Sequence, residues 1–202
     1  ELHYDLSWRA FRGPVHPGMT EIAWLTAHAD AIETWNESVG HVRDRYFLDD
    51  PGWEMRQTSH LLDRLARGTA TEAPRKIASV GGSDSHGDWL RPTTWVLAKE
   101  KSAAGIRDAI VNARTCTRAP EPCTLEARGD GALANVGDAI VSANHRIEAR
   151  AAASARFILN GEVVAESDHA AIDVSGRCST LRAEINDGSS SPIYVDCPGI
   201  TG

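Results

Sequence analysis

The first half of the chain alternates between short apolar runs and one long amphipathic stretch. HADAIETWN (residues 28–36) and RKIASVGG (residues 75–82) carry short apolar runs bounded by polar residues or glycine, a pattern that suits buried parallel strands. Between them, WEMRQTSHLLDRLARG places its apolar residues at helical intervals and ends at Gly68, a natural helix C-cap. The order strand, helix, strand predicts a unit of a parallel α/β sheet.

The next segment predicts one more strand and one more helix. TTWVLA (residues 93–98) is β-branched and apolar, which favours a strand. SAAGIRDAIVNAR (residues 102–114) places four apolar residues on one face of a helix, with Ser102 as its N-cap. We therefore expect a second α/β step after the first.

From about residue 115 the pattern changes to short alternating runs. Asn-Gly, Ser-Gly and Asp-Gly pairs separate these runs, and such pairs are typical of antiparallel hairpins. Asn160-Gly161 is the clearest of them, because aliphatic residues flank it on both sides. The sequence thus predicts two parts, an α/β part over residues 1–114 and an all-β module over residues 115–202.

Composition and charge exclude some classes of partner. The chain has 202 residues, 42% of them hydrophobic, and a formal net charge of −7. A nucleic acid or an anionic membrane surface would favour a clustered excess of Lys and Arg, which the sequence lacks. No apolar run approaches the roughly 20 residues needed to span a bilayer. We expect neither nucleic acid nor membrane as a partner, and since Glu1 opens the chain we expect a processed or partial polypeptide.

The four cysteines favour disulfides over a zinc knuckle. They fall as two close pairs, Cys116 with Cys123 and Cys178 with Cys197, and neither pair has CxxC spacing. Sequential pairing is one of three connectivities, and proximity in the sequence favours it. Two disulfides would place the protein in an oxidising compartment, so we expect secretion to the extracellular space or the periplasm. The alternative is four buried free thiols in a cytosolic protein.

The segment ASVGGSDSHGDW (residues 78–89) follows the second predicted strand with two candidate metal ligands. Side chains two apart in an extended chain point the same way, so Asp84 and His86 can project together. Active-site ligands in α/β folds commonly lie at the carboxyl ends of strands. A carboxylate and an imidazole suit zinc, manganese or iron. The competing interpretation is an ordinary polar turn with an exposed histidine.

Four further residues are weaker candidates. His16 lies in GPVHPGM, where the prolines restrict the loop. Glu33 and Asn36 end the first predicted strand and could reach the metal or a bound phosphate, or could simply bond neighbouring backbone. Arg91 follows the candidate ligands and could hold an anionic substrate, although a solvated arginine is the alternative.

Taken in order, these motifs resemble a known family. VHPG, DAIETWN, LLDRLARG, VGGSDSHG and TTWV are similar to the C-terminal half of the polymerase and histidinol phosphatase superfamily, especially to its secreted carbaryl-hydrolase-like branch. FILNGEVV and SSSPIYV resemble the β tail of that branch, with Ser191 in place of an asparagine. The resemblance spans nearly the whole chain.

The resemblance implies a fold and a chemistry. The fold would be part of a distorted (β/α)₇ barrel followed by the small antiparallel β module. The complete site would hold two or three divalent metal ions (Zn, Mn or Fe), with His16, Asp84 and His86 among the ligands. The activity would be hydrolysis of phosphoesters, or of carbamates and aryl esters, by metal-activated water.

The chain departs from the family at its start. The His-x-His motif of the family, and the His and Glu on its next strands, have no convincing counterpart here. Three explanations stay open: a two-part enzyme whose other half is a separate chain, a truncated product, or a non-catalytic binding or structural subunit. A half barrel would expose apolar strand edges, so we expect a partner chain or self-association.

Overall fold

A computed structural model describes residues 29–36, 53–68, 72–82, 94–117, 124–185 and 188–200 of the protein. Within these ranges the chain forms two helices and twelve strands. The helices are α1 (Trp53–Arg67) and α2 (Ala103–Val111). The strands are β1 (Ala31–Asn36), β2 (Ala78–Gly82), β3 (Thr94–Val96), β4 (Thr115–Thr117), β5 (Leu125–Gly129), β6 (Ala132–Asn135), β7 (Ala139–Ile140), β8 (Arg146–Leu159), β9 (Glu162–Asp173), β10 (Ser179–Ile185), β11 (Gly188–Ser190) and β12 (Ile193–Val195).

The first strand–helix–strand unit is confirmed. Strands β1 and β2 pair in parallel, and the chain between them contains α1. A small apolar cluster joins the helix to the strand pair, and its buried members are Ile32, Leu62, Leu65 and Ile77. Helix α1 ends before Gly68, whose φ of 71° is the left-handed conformation that closes a helix without strain in glycine.

The remaining ten strands form one antiparallel-dominated, curled sheet. Its main path runs β3-β4-β11-β10-β8-β5-β6, while β9 pairs with β8 and β12 pairs with both β10 and β7. Among the strands that the structure describes, β12–β7 is the only parallel pair of this sheet. The prediction of antiparallel hairpins after residue 115 is therefore confirmed.

The hairpin between β8 and β9 turns at the predicted Asn160-Gly161 pair. Both residues have positive φ, 57° for Asn160 and 92° for Gly161, as a two-residue turn with the twist of its strands requires. The side-chain oxygen of Asn160 also accepts the backbone N–H of Thr180 at 3.0 Å. This bond ties the turn to the start of β10.

Strand β10 lies at the centre of the protein and is buried along its whole length. Leu181, Ala183 and Ile185 belong to the main apolar core inside the curled sheet. The alternate side chains include Arg182, which reaches Asp63 of α1. Because α1 packs on this strand, alternating polar residues that would otherwise face water are enclosed.

The expectation of a partial distorted (β/α)₇ barrel is wrong. The structure is mostly β, and the two-stranded parallel sheet β1–β2 is the α/β element of the described ranges. Strand β3 does not begin a second α/β step, because it pairs antiparallel with β4. The reversal follows α2, where buried Ala113 adopts a φ of 55° and turns the chain back beside β3. The predicted strand and helix are present, but antiparallel pairing of β3 with β4 replaces the expected parallel step.

Helix α2 itself is as predicted. The hydroxyl of Ser102 accepts the backbone N–H of Gly105 at 2.9 Å, which is the expected N-cap bond. Ala109 is buried, whereas Ile106 is exposed. The helix therefore covers the sheet with a narrower face than its sequence suggests.

One of the two predicted disulfides is present. Cys178 and Cys197 are bonded and join the start of β10 to the residues after β12. Cys116 is buried in β4, and its proposed partner Cys123 lies outside the described residues, so that pairing stays a prediction. Within the described ranges, neither helix has the length and hydropathy of a membrane span.

Candidate functional site

The carboxyl ends of β1 and β2 lie side by side. Asn36 is opposite Gly82 in the register, and the pairing shifts at a bulge between Glu33 and Trp35. Bulges re-aim side chains and are common beside functional sites. Because carboxyl ends of adjacent parallel strands are the usual location of ligand-binding residues in α/β units, this edge is the candidate site.

Glu33 brings a carboxylate to this edge. A methyl group added to Gly82 would collide with Oε1 of Glu33, so the carboxylate occupies the space that a side chain at residue 82 would take. The absence of a side chain at Gly82 leaves room for this acidic group beside the backbone at the end of β2. This contact gives a physical reason for a glycine at the end of the strand.

The other predicted site residues lie beyond what the structure describes. His16, Asp84, His86 and Arg91 fall outside the described ranges, and for Asn36 only the backbone is described. Among the residues that the structure does describe, no three His, Cys, Asp or Glu side chains form a metal-binding group. The described part of the site therefore supplies one carboxylate, which suits a divalent metal, a metal-bound water or a protonated ligand group.

A set of hydroxyl groups closes the second edge of β2. In a parallel strand, alternate residues direct their backbone N–H and C=O to opposite sides, so Ile77, Ser79 and Gly81 face away from β1. Four side chains of the curled sheet meet them, and we call this set the hydroxyl clasp: Thr94, Thr115, Ser191 and Tyr194.

The clasp bonds follow β2 from one end to the other. Tyr194 Oη accepts the N–H of Ile77 at 3.0 Å, at the amino end. At Ser79, the hydroxyl of Ser191 accepts the N–H at 2.7 Å, and Thr115 donates its hydroxyl to the carbonyl at 2.6 Å.

At the carboxyl end a single hydroxyl makes both bonds. Oγ1 of Thr94 accepts the N–H of Gly81 at 2.8 Å and donates to the carbonyl of Gly81 at 2.9 Å. Buried backbone groups need such partners, and here side chains provide what a neighbouring strand would otherwise provide. Because these backbone groups along β2 already have side-chain partners, they are not available to pair with a further strand.

A buried network of charges also joins α1 to the curled sheet. Arg182 donates to Asp63 at 2.9 Å and to Glu184 at 2.6 Å, and all three side chains are about 1% exposed. Arg156, which is partly exposed, donates to the second oxygen of Glu184 at 2.6 Å. The two carboxylates and two guanidinium groups balance, which is the condition for burying charge without a large penalty.

The electrostatics of Arg182 follow from this pairing. Burial alone would lower the pKa of Arg182, but the adjacent carboxylates of Asp63 and Glu184 outweigh burial and hold the pKa above its ordinary value. Arg182 is therefore a permanent structural cation, and it fixes the position of α1 behind the candidate edge.

Tyr194 is the second buried group with a shifted pKa. Burial raises the pKa of the Tyr194 phenol well above its ordinary value, while the bond from the N–H of Ile77 acts in the opposite direction and is too weak to cancel it. The phenol is neutral at physiological pH and acts as a hydrogen-bonding member of the clasp.

Two open clefts lie elsewhere, in the curled sheet. One, of about 540 Å³, adjoins the disulfide and is lined by Asp196 and His145 among others. The other, of about 500 Å³, is lined by Lys99, Arg114 and Asp138 among others. Neither cleft is lined by β1, α1 or β2. In the second cleft, the positive charges of Lys99 and Arg114 are matched by the carboxylates of Glu126 and Asp138. The strand edge with Glu33 is chemically the more specific location.

Comparison with known proteins adds no assignment. No protein-family model matches the chain, and neither the curated proteins nor the solved structures give a match. The candidate site thus stands on its own geometry and on the sequence that adjoins it.

Sequence reasoning missed the clasp and the charge network. Thr94 lies in a segment that the sequence predicts to be a strand, and Ser191 was noted only for its place in the resembling tail, so neither hydroxyl had a predicted role. Asp63 lies between Leu62 and Leu65, so one available signal was an acidic residue within the apolar face of a helix. Arg182 and Glu184 alternate with apolar residues as in a half-exposed strand, and no local pattern reveals that α1 covers them.

Proposed function

We propose that the protein is a metal-dependent hydrolase of phosphoesters, or of carbamate or aryl esters, or the ligand-bearing part of such an enzyme. The observation that carries the proposal is the position of Glu33, whose carboxylate lies against Gly82 at the carboxyl end of the parallel pair. In the sequence, Asp84 and His86 follow Gly82 by two and four residues. The proposal is that Asp84 and His86 join the carboxylate of Glu33 at this strand end.

The proposed roles follow from donor chemistry. Asp84, His86 and His16 would hold zinc, manganese or iron, since carboxylate and imidazole are suitable donors for these ions. When bound, the metal would make a water more acidic and offset negative charge on the substrate. Glu33 would accept a hydrogen bond or a proton at the same edge, Asn36 would orient a substrate oxygen, and Arg91 would hold an anionic group of the substrate.

The proposal includes a partner and a location. Two or three metal ions need more donors than these residues supply, so further ligands would come from a second polypeptide or from another copy of this chain. The bonded Cys178 and Cys197 support an oxidising compartment, and we propose secretion to the extracellular space or the periplasm.

The decisive experiment measures metal and activity together. Native protein, with any chain that co-purifies, is analysed for bound zinc, manganese and iron, and then assayed with a bis-aryl phosphate and an aryl ester. Asp84→Ala and His86→Ala should each lose bound metal and hydrolysis while the far-ultraviolet circular dichroism stays unchanged. Glu33→Gln should retain metal better than it retains turnover, since the proposal gives Glu33 a role in proton handling.

His169→Ala is the matched control, because His169 is an exposed histidine of strand β9 in the curled sheet. It should keep both metal and activity. Metal far below one equivalent in the native material would refute the hydrolase and favour the alternative, a non-catalytic binding or structural subunit. Full activity in Asp84→Ala and His86→Ala would refute the ligand assignment.

A further inference from the structure

The cleft of about 540 Å³ beside the disulfide lies where three connections of the curled sheet meet. Its first wall is the loop between β7 and β8, its second wall is the turn between β9 and β10, and its third wall is the chain after β12. Sites that bind small molecules usually have volumes of about 300–1,000 Å³, so the cleft is of ligand size. Its described lining includes no residue of β1, α1 or β2, which separates it from the strand edge with Glu33.

Covalent and hydrogen bonds join the three walls of this cleft. The disulfide links the second wall to the third. Oδ1 of Asp196 accepts the backbone N–H of Ser142 at 2.8 Å, which links the third wall to the first. The backbone N–H of Val174 donates to the carbonyl of His145 at 2.9 Å, which links the second wall to the first. Because each wall is bonded to the other two, the cleft is preorganised and a ligand does not have to order it.

Two residues of the cleft hold their backbone in the left-handed region. His145 has a φ of 53° and Asp196 a φ of 54°, values that are uncommon outside glycine. Residues other than glycine that are held in this region cluster at ligand-binding sites. The imidazole of His145 also lies against the backbone of Gly176, where a side chain at residue 176 would collide with it. The conformation of the lining is thus specified in detail.

The cleft presents one carboxylate and one guanidinium group that are not paired with each other. Oδ2 of Asp196 is enclosed and has no hydrogen-bond partner among the described residues. Arg177 is exposed, and the ion pairs of the described residues include neither Arg177 nor Asp196. Val141, Pro198 and the disulfide supply apolar surface between these groups and solvent. A mostly apolar lining with a few polar groups is typical of a small-molecule site.

We infer that this cleft binds a small zwitterion with an apolar body, of the class of an aliphatic α-amino acid. Its ammonium group would donate to the carboxylate of Asp196, which has acceptor capacity beyond its bond to Ser142. Its carboxylate would accept from the guanidinium group of Arg177. Its aliphatic part would lie against the disulfide. A ligand with a single charge would leave the opposite group of the cleft without a partner, whereas a zwitterion matches both.

Two substitutions remove one charge each from the cleft. Asp196→Asn keeps an oxygen that can accept the Ser142 N–H, and asparagine tolerates a φ of 54°. Arg177→Gln changes an exposed side chain. The matched controls are Asp168→Asn and Arg128→Gln, which remove the same charges at exposed positions of β9 and β5.

The probes are L-leucine, leucinamide, which lacks the carboxylate, and N-acetyl-L-leucine, which lacks the ammonium group. Dissociation constants come from titrations that follow the backbone amide signals by nuclear magnetic resonance. The wild type should bind L-leucine about tenfold or more tightly than either analogue, because each analogue loses a hydrogen bond between charged groups. The amide signals of Ser142 and Gly176 should shift during the titration, since both residues line the cleft.

The variants test each end of the ligand separately. Asp196→Asn should abolish the preference for L-leucine over N-acetyl-L-leucine, and Arg177→Gln should abolish the preference over leucinamide. Both control variants should bind L-leucine as the wild type does. If circular dichroism shows that a variant does not fold, the three probes on the wild type still decide whether the cleft recognises both charges.

Several results would overturn the inference. They are a wild type that does not bind L-leucine, binding without shifts at Ser142 and Gly176, equal affinity for L-leucine and either analogue, and an unchanged preference in either folded variant. None of these measurements depends on bound metal or on hydrolysis. The amino-acid site can therefore fail while the hydrolase proposal stands, and the reverse.

Discussion

The guanidinium group of Arg182 and the carboxylate of Asp63 meet at 2.9 Å with both side chains about 1% exposed. The two residues come from β10 and α1, so this pair joins the antiparallel sheet to the helix that covers β1 and β2. Arg182 also donates to the carboxylate of Glu184 and to the hydroxyl of Ser189. The position of the helix behind the candidate site thus depends on one buried cation.

Replacing this cation should be among the most damaging single changes. Arg182→Met leaves Asp63 and Glu184 as buried carboxylates beside an apolar side chain, and breaking a buried pair in this way costs about 3–5 kcal/mol. The free energy of unfolding from urea titration measures the loss. Arg156→Met should cost clearly less, because Arg156 is partly exposed and Glu184 would keep Arg182. Equal losses of unfolding free energy in Arg182→Met and Arg156→Met would contradict the conclusion that Arg182 contributes more to stability than Arg156.

The Tyr194 hydroxyl should contribute measurably to stability. Tyr194→Phe removes the acceptor of the Ile77 N–H and leaves a buried donor without its partner, at a cost of about 1–3 kcal/mol. Urea unfolding of the variant checks the value. Ser154→Ala, at an exposed hydroxyl of β8, is the comparison and should stay within about 0.5 kcal/mol of the wild type. If Tyr194→Phe is as stable as Ser154→Ala, a water molecule must accept the hydrogen bond from the backbone N–H of Ile77 in the variant.

The same tyrosine should make stability fall at high pH. Burial raises the pKa of Tyr194 in the folded protein, so the unfolded chain loses this proton first, near the ordinary pKa of about 10. The contribution of Tyr194 is therefore complete below that pH and decreases as the pH rises above it. The stabilities of wild type and Tyr194→Phe should converge between about pH 10 and 11. Parallel curves through this range would rule out the shift.

The elements that could be predicted from the sequence are those fixed by local patterns. β1, α1 and β2 follow from short apolar runs and helical spacing, and the β8–β9 turn follows from Asn160-Gly161. The position of Glu33 near the carboxyl end of β1 could also be anticipated, because it lies near the end of a predicted strand. Each of these signals lies within a few residues of the structure that it specifies.

The features that could not be predicted depend on residues far apart in the chain. Whether β3 runs parallel to β2 or antiparallel to β4 is decided by the turn at Ala113 and by the clasp, not by the composition of β3. Thr94 and Gly81 are thirteen residues apart, and Arg182 and Asp63 are 119 apart. A polar residue that bonds across such distances has the same local pattern as one that faces water.

The disulfide should resist alkylation and stabilise the end of the chain. Without reductant, Cys178 and Cys197 should remain unlabelled in the intact mass spectrum. The bond closes a segment with a sequence separation of 19, for which the chain-entropy estimate is about 3 kcal/mol. Reductant should lower the melting temperature of the wild type but not that of Cys178→Ser/Cys197→Ser. Labelling of both cysteines would remove the support for an oxidising compartment.

Asn160 stabilises its turn in two ways, by tolerating a positive φ and by side-chain hydrogen bonds to Thr180 and Ser179, and two substitutions can measure these contributions separately. Asn160→Gly keeps a residue that tolerates a φ of 57° and loses only the side-chain bonds to Thr180 and Ser179, so a loss of about 1 kcal/mol is expected. Asn160→Ala loses the same bonds and also places an ordinary side chain in the left-handed region, which costs about 1–2 kcal/mol more. Urea unfolding at equal m-values measures both. If Asn160→Ala is no less stable than Asn160→Gly, the positive φ is not imposed on the folded hairpin, and the backbone of residue 160 relaxes when the side-chain bond to β10 is lost.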